Sequence, residues 1–271
     1  MCRRNTDDPL VRMFLDRYHL HLLAIPRHGV AVGDLYVHDG KRVSPPGNVQ
    51  NILDAPMEMP PLKIGELMGE VSGLTSKAVA VNVGLGLLAG FLTALGAASV
   101  VDKVKAAYAH NNAGTLRFRF AGATRDSVDV LALASRIARR RLAADQPFVT
   151  NGNRYYLVTG VARASSLSVV AESGGGAGAT LGLDVKQIVG VATSIKIDAN
   201  QNGEVIFTGP EALAFGVELH ELVYDEDEQR LEFKMPENAI RVRNAADTPA
   251  TPLLTPATIG GPEDDVFLTV G

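Results

Sequence analysis

The 271-residue chain contains a single cysteine, Cys2, at its very start. One thiol cannot form an intramolecular disulfide, and the usual zinc sites need several Cys or His ligands at close spacing. We therefore expect neither a disulfide nor a bound metal, and a lone free thiol is typical of the reducing cytosol. The net charge of −4 also lacks the basic excess of a nucleic-acid-binding protein, so no nucleic-acid partner is expected.

Motifs of catalysis are missing as well. The sequence has no G-x-S-x-G elbow, no P-loop and no dinucleotide-binding fingerprint. His220-Glu221 begins like a zinc-protease helix, but Tyr224 stands where the second histidine belongs. His19 and His21 share a face only as a strand and make at most half a metal site. We expect that the protein is not an enzyme and carries no catalytic residues.

The N-terminus does not resemble a secretory signal. Arg3 and Arg4 could imitate a basic leader, but Asp7, Asp8 and Pro9 follow at once and leave no uninterrupted apolar stretch. With 46% apolar and 21% charged residues the chain can bury a core. We expect residence in the cytoplasm.

Charge is absent from the 24 residues between Lys77 and Asp102. By length alone, residues 78–101 could form one membrane-spanning helix. Four glycines and the strand-like "VAVNV" at 79–83 favour instead a strand followed by a buried helix, and a plain core helix is a further alternative.

The remaining segments show ordinary folding signals. Asp7-Asp8-Pro9 predicts the start of an amphipathic helix, and "TLRFRFAG" at 115–122 predicts a half-exposed strand. Residues 127–145 read as an amphipathic helix with an arginine-rich face, which is either simply solvated or a patch for anionic lipid. The sequence also predicts strands in 21–25 and 29–43, a loop over 44–62, and a hairpin over 212–236 with an acidic turn at 225–229.

Two long segments of low charge, 154–172 and 173–197, flank and include the glycine-rich "SGGGAG". Each exceeds the roughly 9–11 residues that a tilted strand needs to cross a bilayer. After Arg243 the chain has no Lys or Arg and is rich in proline, which is typical of an extended, cleavable linker. It ends in the strand-forming "VFLTV" of 266–270, and we expect this end to dock on the domain.

Two segments, "MCRR...DPLVRMFLDRYHLHLL" and "GVAVGDLYVHDGKRVSPPG", and the order of the elements that follow them form a recognisable combination. In these features the sequence resembles the bacterial gasdermins, over essentially its full length. The terminal cysteine, apolar middle, long arms hinged by glycine and Pro-rich tail with an apolar end make the combination specific.

The resemblance implies an α+β fold, with a twisted, mostly antiparallel central sheet and flanking helices. It also implies a pore-forming domain over 1–243, with membrane hairpins at about 71–125 and 154–198, and a cleavable linker and autoinhibitory peptide over 244–271. A partner protease, caspase-like and encoded nearby, would remove the peptide. The monomer would then oligomerise into a large β-barrel pore in the inner membrane and kill the phage-infected cell.

The family carries palmitate near the N-terminus at a position that matches Cys2, and no other cofactor is implied. Anionic membrane lipid is the expected partner of the arginines Arg3, Arg4, Arg136, Arg139, Arg140 and Arg141. The sequence does not decide the position of the scissile bond, for which the candidates are Arg241, Arg243, Asp247, Leu253 and Leu254. A membrane-anchored scaffold with a single spanning helix at 78–101 is the alternative.

Overall fold

The structure is a computed structural model that describes residues 9–39, 43–76, 78–95, 97–98, 101–102, 113–143, 146, 152–173, 195–199 and 204–234. In this part of the chain eleven strands form one sheet, in which every paired strand is antiparallel. The strands are β1 (His21–Arg27), β2 (Asp34–His38), β3 (Val43–Asn48), β4 (Leu62–Leu67), β5 (Val71–Ser76), β6 (Ala113–Ala121), β7 (Thr124–Val128), β8 (Arg154–Ser173), β9 (Lys196–Ala199), β10 (Glu204–Asp225) and β11 (Arg230–Phe233). The helices are α1 (Pro9–Tyr18), α2 (Ala78–Ala94), α3 (Val130–Ile137) and a short 3-10 turn at Val49–Asn51.

Two long central strands form the spine of the sheet. β8 has 20 residues and β10 has 22, and they pair from Tyr155 opposite Leu222 to Val170 opposite Glu204. Shorter strands pair along both sides of this spine at three successive levels. In the proximal tier β2 pairs with β8, β3 pairs with β2, and β11 pairs with β10. In the middle tier β7 pairs with β8, β4 pairs with β7, and β1 pairs with β10. In the distal tier β6 pairs with β8, β5 pairs with β6, and β9 pairs with β10.

Apolar side chains form two clusters along this sheet. One, shared by the distal and middle tiers, packs α1 and α2 against the sheet, with Phe14, Phe91, Phe120 and Phe215 at its centre. The other packs α3 against the proximal tier. The sheet and its flanking helices confirm the predicted α+β fold class.

Local signals placed several elements correctly. In α1, the predicted amphipathic helix, the apolar residues Val11 and Phe14 are buried, and His19 follows the helix in a left-handed conformation with φ 55°. In β6 the phenylalanines Phe118 and Phe120 are fully buried, while Arg117 and Arg119, which alternate with them, are exposed as the pattern predicts. The predicted acidic hairpin forms between β10 and β11.

Other local predictions were wrong. Residues 79–83 are helical, because α2 runs without a break from Ala78 to Ala94 and tertiary packing overrides the strand propensity of valine. The segment 44–62 is not all loop, since β3 includes Pro45 and Pro46. Among the described strands β3 pairs only with β2, and an edge strand tolerates proline because its outward N–H groups need no partner.

A buried histidine links the two spine strands in the proximal tier. His220 is 3% exposed, and its Nδ1 lies 3.0 Å from Thr159 Oγ1 of β8. Burial lowers the pKa of His220 to about 4. The imidazole is therefore neutral in the folded protein at neutral pH.

This lowered pKa predicts acid sensitivity. Below pH 6.5 the imidazole of His220 is protonated in the unfolded chain, but in the folded protein it stays neutral down to about pH 4. The free energy of unfolding therefore falls as the pH drops through that window. The loss attributable to this group is at most about 3 kcal/mol. Urea titrations at pH 7.0, 5.5 and 4.5 should show a shallower decline in His220→Gln than in the unsubstituted protein. Parallel declines would contradict this role.

Candidate membrane-insertion region

A line of backbone irregularities separates the distal tier from the middle tier. β4 passes into β5 through Met68–Glu70, and β6 passes into β7 through Gly122–Ala123. At the same level β10 carries four residues, Gly209–Ala212, opposite the single residue Ser165 of β8. Such bulges bend strands and interrupt pairing. We call this line, at which strand pairing is interrupted, the hinge line.

Helix α2 packs across the hinge line with apolar side chains. Leu88, Phe91 and Leu92 are at most 1% exposed, and they contact the cluster formed by α1, β1, β6 and β10. A Cβ atom added at Gly209 would lie 2.3 Å from Leu95 Cδ2, so the side chain of Leu95, which follows the helix, packs directly on the bulge of β10. α2 therefore packs on both sides of the hinge line.

The strands that flank α2 are already paired. β5 and β6 run antiparallel from Val71 opposite Phe120 to Ser76 opposite Thr115, and the chain leaves this pair to form α2. The first predicted hairpin, 71–125, thus has its base formed in register. A phenylalanine pair, Phe120 and Phe215, stacks at 4.0 Å between ring centroids and ties this base to β10.

The second predicted hairpin, 154–198, is represented by its outgoing arm. β8 extends to Ser173 at the distal end. β9 runs in the same direction as β8, because both pair antiparallel with β10, so residues 196–198 are not its returning arm. The rest of the predicted hairpin between these strands, residues 174–194, lies outside the described residues.

The predicted arginine patch is not one helix face, so the predicted helix over 127–145 was wrong in extent. α3 ends at Ile137, and its first turn is capped by Asp129, whose carboxylate accepts from the Ala132 amide. Among the four arginines, Arg136 donates to the backbone carbonyl of Glu58. The others, Arg139, Arg140 and Arg141, lie in the turn after the helix, beside the proximal tier.

Several predicted site residues lie outside the described residues. These are Cys2, Arg3, Arg4, Arg241, Arg243, Asp247, Leu253 and Leu254, together with the whole segment 244–271.

Two exposed arginines at the distal tier were not among the predicted lipid contacts. Arg117 and Arg119 project from the exposed face of β6, and Arg119 Nε lies 3.4 Å from Glu70 Oε1. The alternation of "TLRFRFAG" carried the signal, because it placed both guanidinium groups on the open face of a predicted membrane arm.

The middle tier contains a largely buried ion pair. Arg125 of β7 donates to Glu218 of β10 across Gly160 of β8, where an added Cβ would lie 3.0 Å from Glu218 Oε2. Burial lowers the pKa of Arg125, and the Glu66 carboxylate partly offsets this. Arg163 and Asp126 form a second pair at 3.0 Å. These pairs fix the middle tier, since breaking a buried pair leaves an uncompensated charge.

An open cleft of about 450 Å³ lies between the end of α1 and β4, lined by Arg17, Tyr18, His19, Glu66, Leu67, Met68 and Arg125. Within the described ranges no cluster of three or more His, Cys, Asp and Glu side chains is arranged to hold a metal ion. Over the same ranges, no helix has both the length and the apolar character needed to cross a membrane. Of the segment 78–101, considered above as a single spanning helix, the 17 residues Ala78–Ala94 form α2.

This arrangement, an antiparallel sheet with long central strands and an apolar helix between paired arms, matches a known class of fold. A solved structure of a bacterial gasdermin from Bradyrhizobium tropiciagri superposes with a TM-score of 0.63 and 19% sequence identity, covering 86% of this chain and 95% of that chain.

Sequence comparison gives the family. The model of the Bacterial Gasdermin Family matches residues 23–230. Curated gasdermins bGSDM from Vitiosangium sp. (strain GDMCC 1.1324) and Lysobacter enzymogenes are 23% and 25% identical, covering 79% and 78% of this chain and 81% and 79% of theirs. The chain belongs to the bacterial gasdermin family, a family of pore-forming proteins and not of enzymes.

Removing a side chain from the inner face of α2 should destabilise the full-length protein. Phe91→Ala leaves a cavity beside Phe120, whose ring centroid is 6.4 Å away, and should lower the free energy of unfolding by about 3–5 kcal/mol. Thr93→Ala, on the exposed side of the same helix, is the matched control and should change it by no more than about 0.5 kcal/mol. Equal effects in urea unfolding would contradict the packing described here.

Proposed function

We propose that this gasdermin is the autoinhibited precursor of a large β-barrel pore. Proteolytic removal of the C-terminal segment 244–271 activates it, and the activated chains assemble in the inner membrane and kill the phage-infected cell. The precursor is a cytoplasmic monomer, and the activating protease is caspase-like and encoded nearby. Family membership supports pore formation, and the geometry of the distal tier supports the route by which this chain would form it.

The observation that carries the proposal is the paired base of the first hairpin. Beyond Ser76 and Thr115, residues 77–114 contain more chain than two strands of about 9–11 residues and a connecting loop require. Converting α2 to strand would therefore lengthen an existing antiparallel pair without changing its register. Helix propensity opposes the conversion only weakly, because Gly84, Gly86 and Gly90 each lower helix stability by about 1 kcal/mol relative to alanine.

Membrane physics requires more than one copy. Unpaired backbone groups in lipid cost several kcal/mol each, so strands can span a bilayer only in a closed barrel. Two hairpins from one chain cannot close a large barrel. The proposed pore is therefore a homo-oligomer in which each copy contributes two hairpins, from about residues 71–125 and 154–198.

Lipid contact and acylation are part of the same proposal. A palmitoyl chain on Cys2 would add about 0.8 kcal/mol of membrane affinity per buried CH₂. Arg3 and Arg4 beside it would add roughly 1 kcal/mol each near an anionic surface. The distal arginines of β6 join the earlier candidates for headgroup contact, since they belong to a proposed membrane arm.

Cleavage should convert an inert protein into a membrane-permeabilising one. A specific protease site inserted after Arg243 in the full-length chain allows cleavage in the presence of dye-filled vesicles that contain anionic lipid. We expect dye release only after protease addition, because residues 244–271 hold the precursor inactive. A chain with a scrambled site is the control. Intact vesicles after complete cleavage would contradict the proposal.

The natural scissile bond is measured separately. Mass spectrometry of the fragments made by the neighbouring protease should place the cut between Arg241 and Leu254. A cut inside the described sheet would contradict the proposed division of the chain at 243.

Acylation is testable on protein purified from its host. Intact-mass measurement should show an added palmitoyl mass that hydroxylamine removes, and Cys2→Ser should lack it. Cys2→Ser should also slow dye release after cleavage by about tenfold or more, since one buried acyl chain gives substantial membrane affinity. An unmodified mass together with unchanged release would remove Cys2 from the mechanism.

A further inference from the structure

One edge strand carries most of the large apolar side chains that the described residues expose. Five such side chains are exposed, and three of them lie on β4: Leu62 at 40%, Ile64 at 75% and Leu67 at 81%. All six residues of β4 are exposed. Apolar side chains grouped in this way mark interaction surfaces, whereas single ones are ordinary. We call Leu62, Ile64 and Leu67 the β4 strip.

The backbone of this edge is bent and does not offer a flat strand. Among the described strands β4 pairs only with β7, and its register shifts between Lys63 and Glu66. Gly65 takes a left-handed conformation with φ 69°, and its amide donates to Asp126 Oδ1 at 2.9 Å. A bulge of this kind discourages uncontrolled strand addition. The strip therefore presents side chains for packing.

The order of strands identifies what the strip would meet in an assembly. β4 and β5 follow one another on the same side of the spine, and β1 and β9 lie on the opposite side. Identical copies joined edge to edge in a ring each present one edge to the other edge of the next copy. In the middle tier the strand order is β4-β7-β8-β10-β1, so in such a ring β4 of one copy faces β1 of the next.

In the precursor α2 occupies the apolar side of β1. α2 packs on β1, and Leu22 of β1 lies in the same buried cluster as Leu88 and Leu92 of α2. Departure of α2 would expose Leu22 and so create an apolar surface in the middle tier. The β4 strip of the neighbouring copy would face this surface. The strip is exposed before activation, and its partner surface becomes available only afterwards.

We propose that the β4 strip is the contact by which each activated copy docks on the uncovered β1 edge of a second copy. This inference rests on the proposed pore function, because it needs α2 to leave the sheet. It goes beyond that function in naming the surface outside the membrane that joins the copies, and it gives a reason why the precursor does not assemble.

The test uses the full-length chain with the inserted protease site and the double variant Ile64→Lys/Leu67→Lys. After cleavage on vesicles the variant should release dye at least about tenfold more slowly than the unsubstituted protein, because charges at a packed contact are costly. Sedimentation with vesicles should stay within about twofold, since membrane binding is made elsewhere. Val223→Lys is the matched control: Val223 is 48% exposed but lies in the proximal tier, and its release should be unchanged.

A photo-crosslinker at position 64 gives a direct second readout. Mixed light and heavy isotope copies, cleaved on vesicles, should yield intermolecular cross-links from position 64 to a peptide containing residues 21–27, and uncleaved protein should yield none. Thermal unfolding of the uncleaved double variant should match the unsubstituted protein, because both positions are exposed.

Two results would overturn this inference alone. If the cleaved double variant releases dye as fast as the unsubstituted protein, the β4 strip does not contact a second copy. Release by the uncleaved double variant would show that the strip holds the chain's own C-terminal segment. Failure of the unsubstituted cleaved protein to release dye would instead overturn the proposed pore function. In that case the presence or absence of the cross-link to residues 21–27 would still test the contact.

Discussion

The contact between α2 and the bent sheet is the constraint on which the rest of the account depends. The leucines and Phe91 of the helix pack against strands of both the distal and the middle tier, and Leu95 packs on the bulge of β10 at Gly209. Fully burying each such side chain contributes about 1.5–3 kcal/mol, which is large beside the net stability of a domain. Lipid would shield the same apolar side chains from water equally well. The helix is therefore held by burial that a membrane can replace.

The spine and the middle tier provide the rigid part against which this change could occur. The Arg125–Glu218 pair and the Arg163–Asp126 pair lie on the proximal side of the hinge line, where β8 and β10 stay paired through two smaller register shifts. The distal tier is bound to them through a bulge on β10 and through glycine-containing links between β4 and β5 and between β6 and β7. Bending is thereby concentrated where strands already change pairing, which leaves the buried ion pairs intact.

Sequence reasoning succeeded where a local pattern decides the structure. Capping chemistry placed α1, the alternation of phenylalanine and arginine placed β6, and an acidic turn placed the β10–β11 hairpin. It failed where distant contacts decide. Residues 79–83 have strand propensity but are helical because they belong to a helix packed on the sheet, and the direction of β9 follows from its pairing with β10. The exposure of Ile64 and Leu67 could not be predicted, since it depends on which strands lie at the edge.

The central claim is that α2 leaves the sheet when the protein acts on a membrane. Spin labels introduced through unnatural amino acids at positions 93 and 211, both exposed, would measure the distance from α2 to the bulge of β10 without disturbing Cys2. The account predicts one short distance in the precursor and an increase of more than about 20 Å after cleavage on vesicles, because an extended chain rises about 3.3 Å per residue. An unchanged distance in vesicles that have released their dye would contradict it.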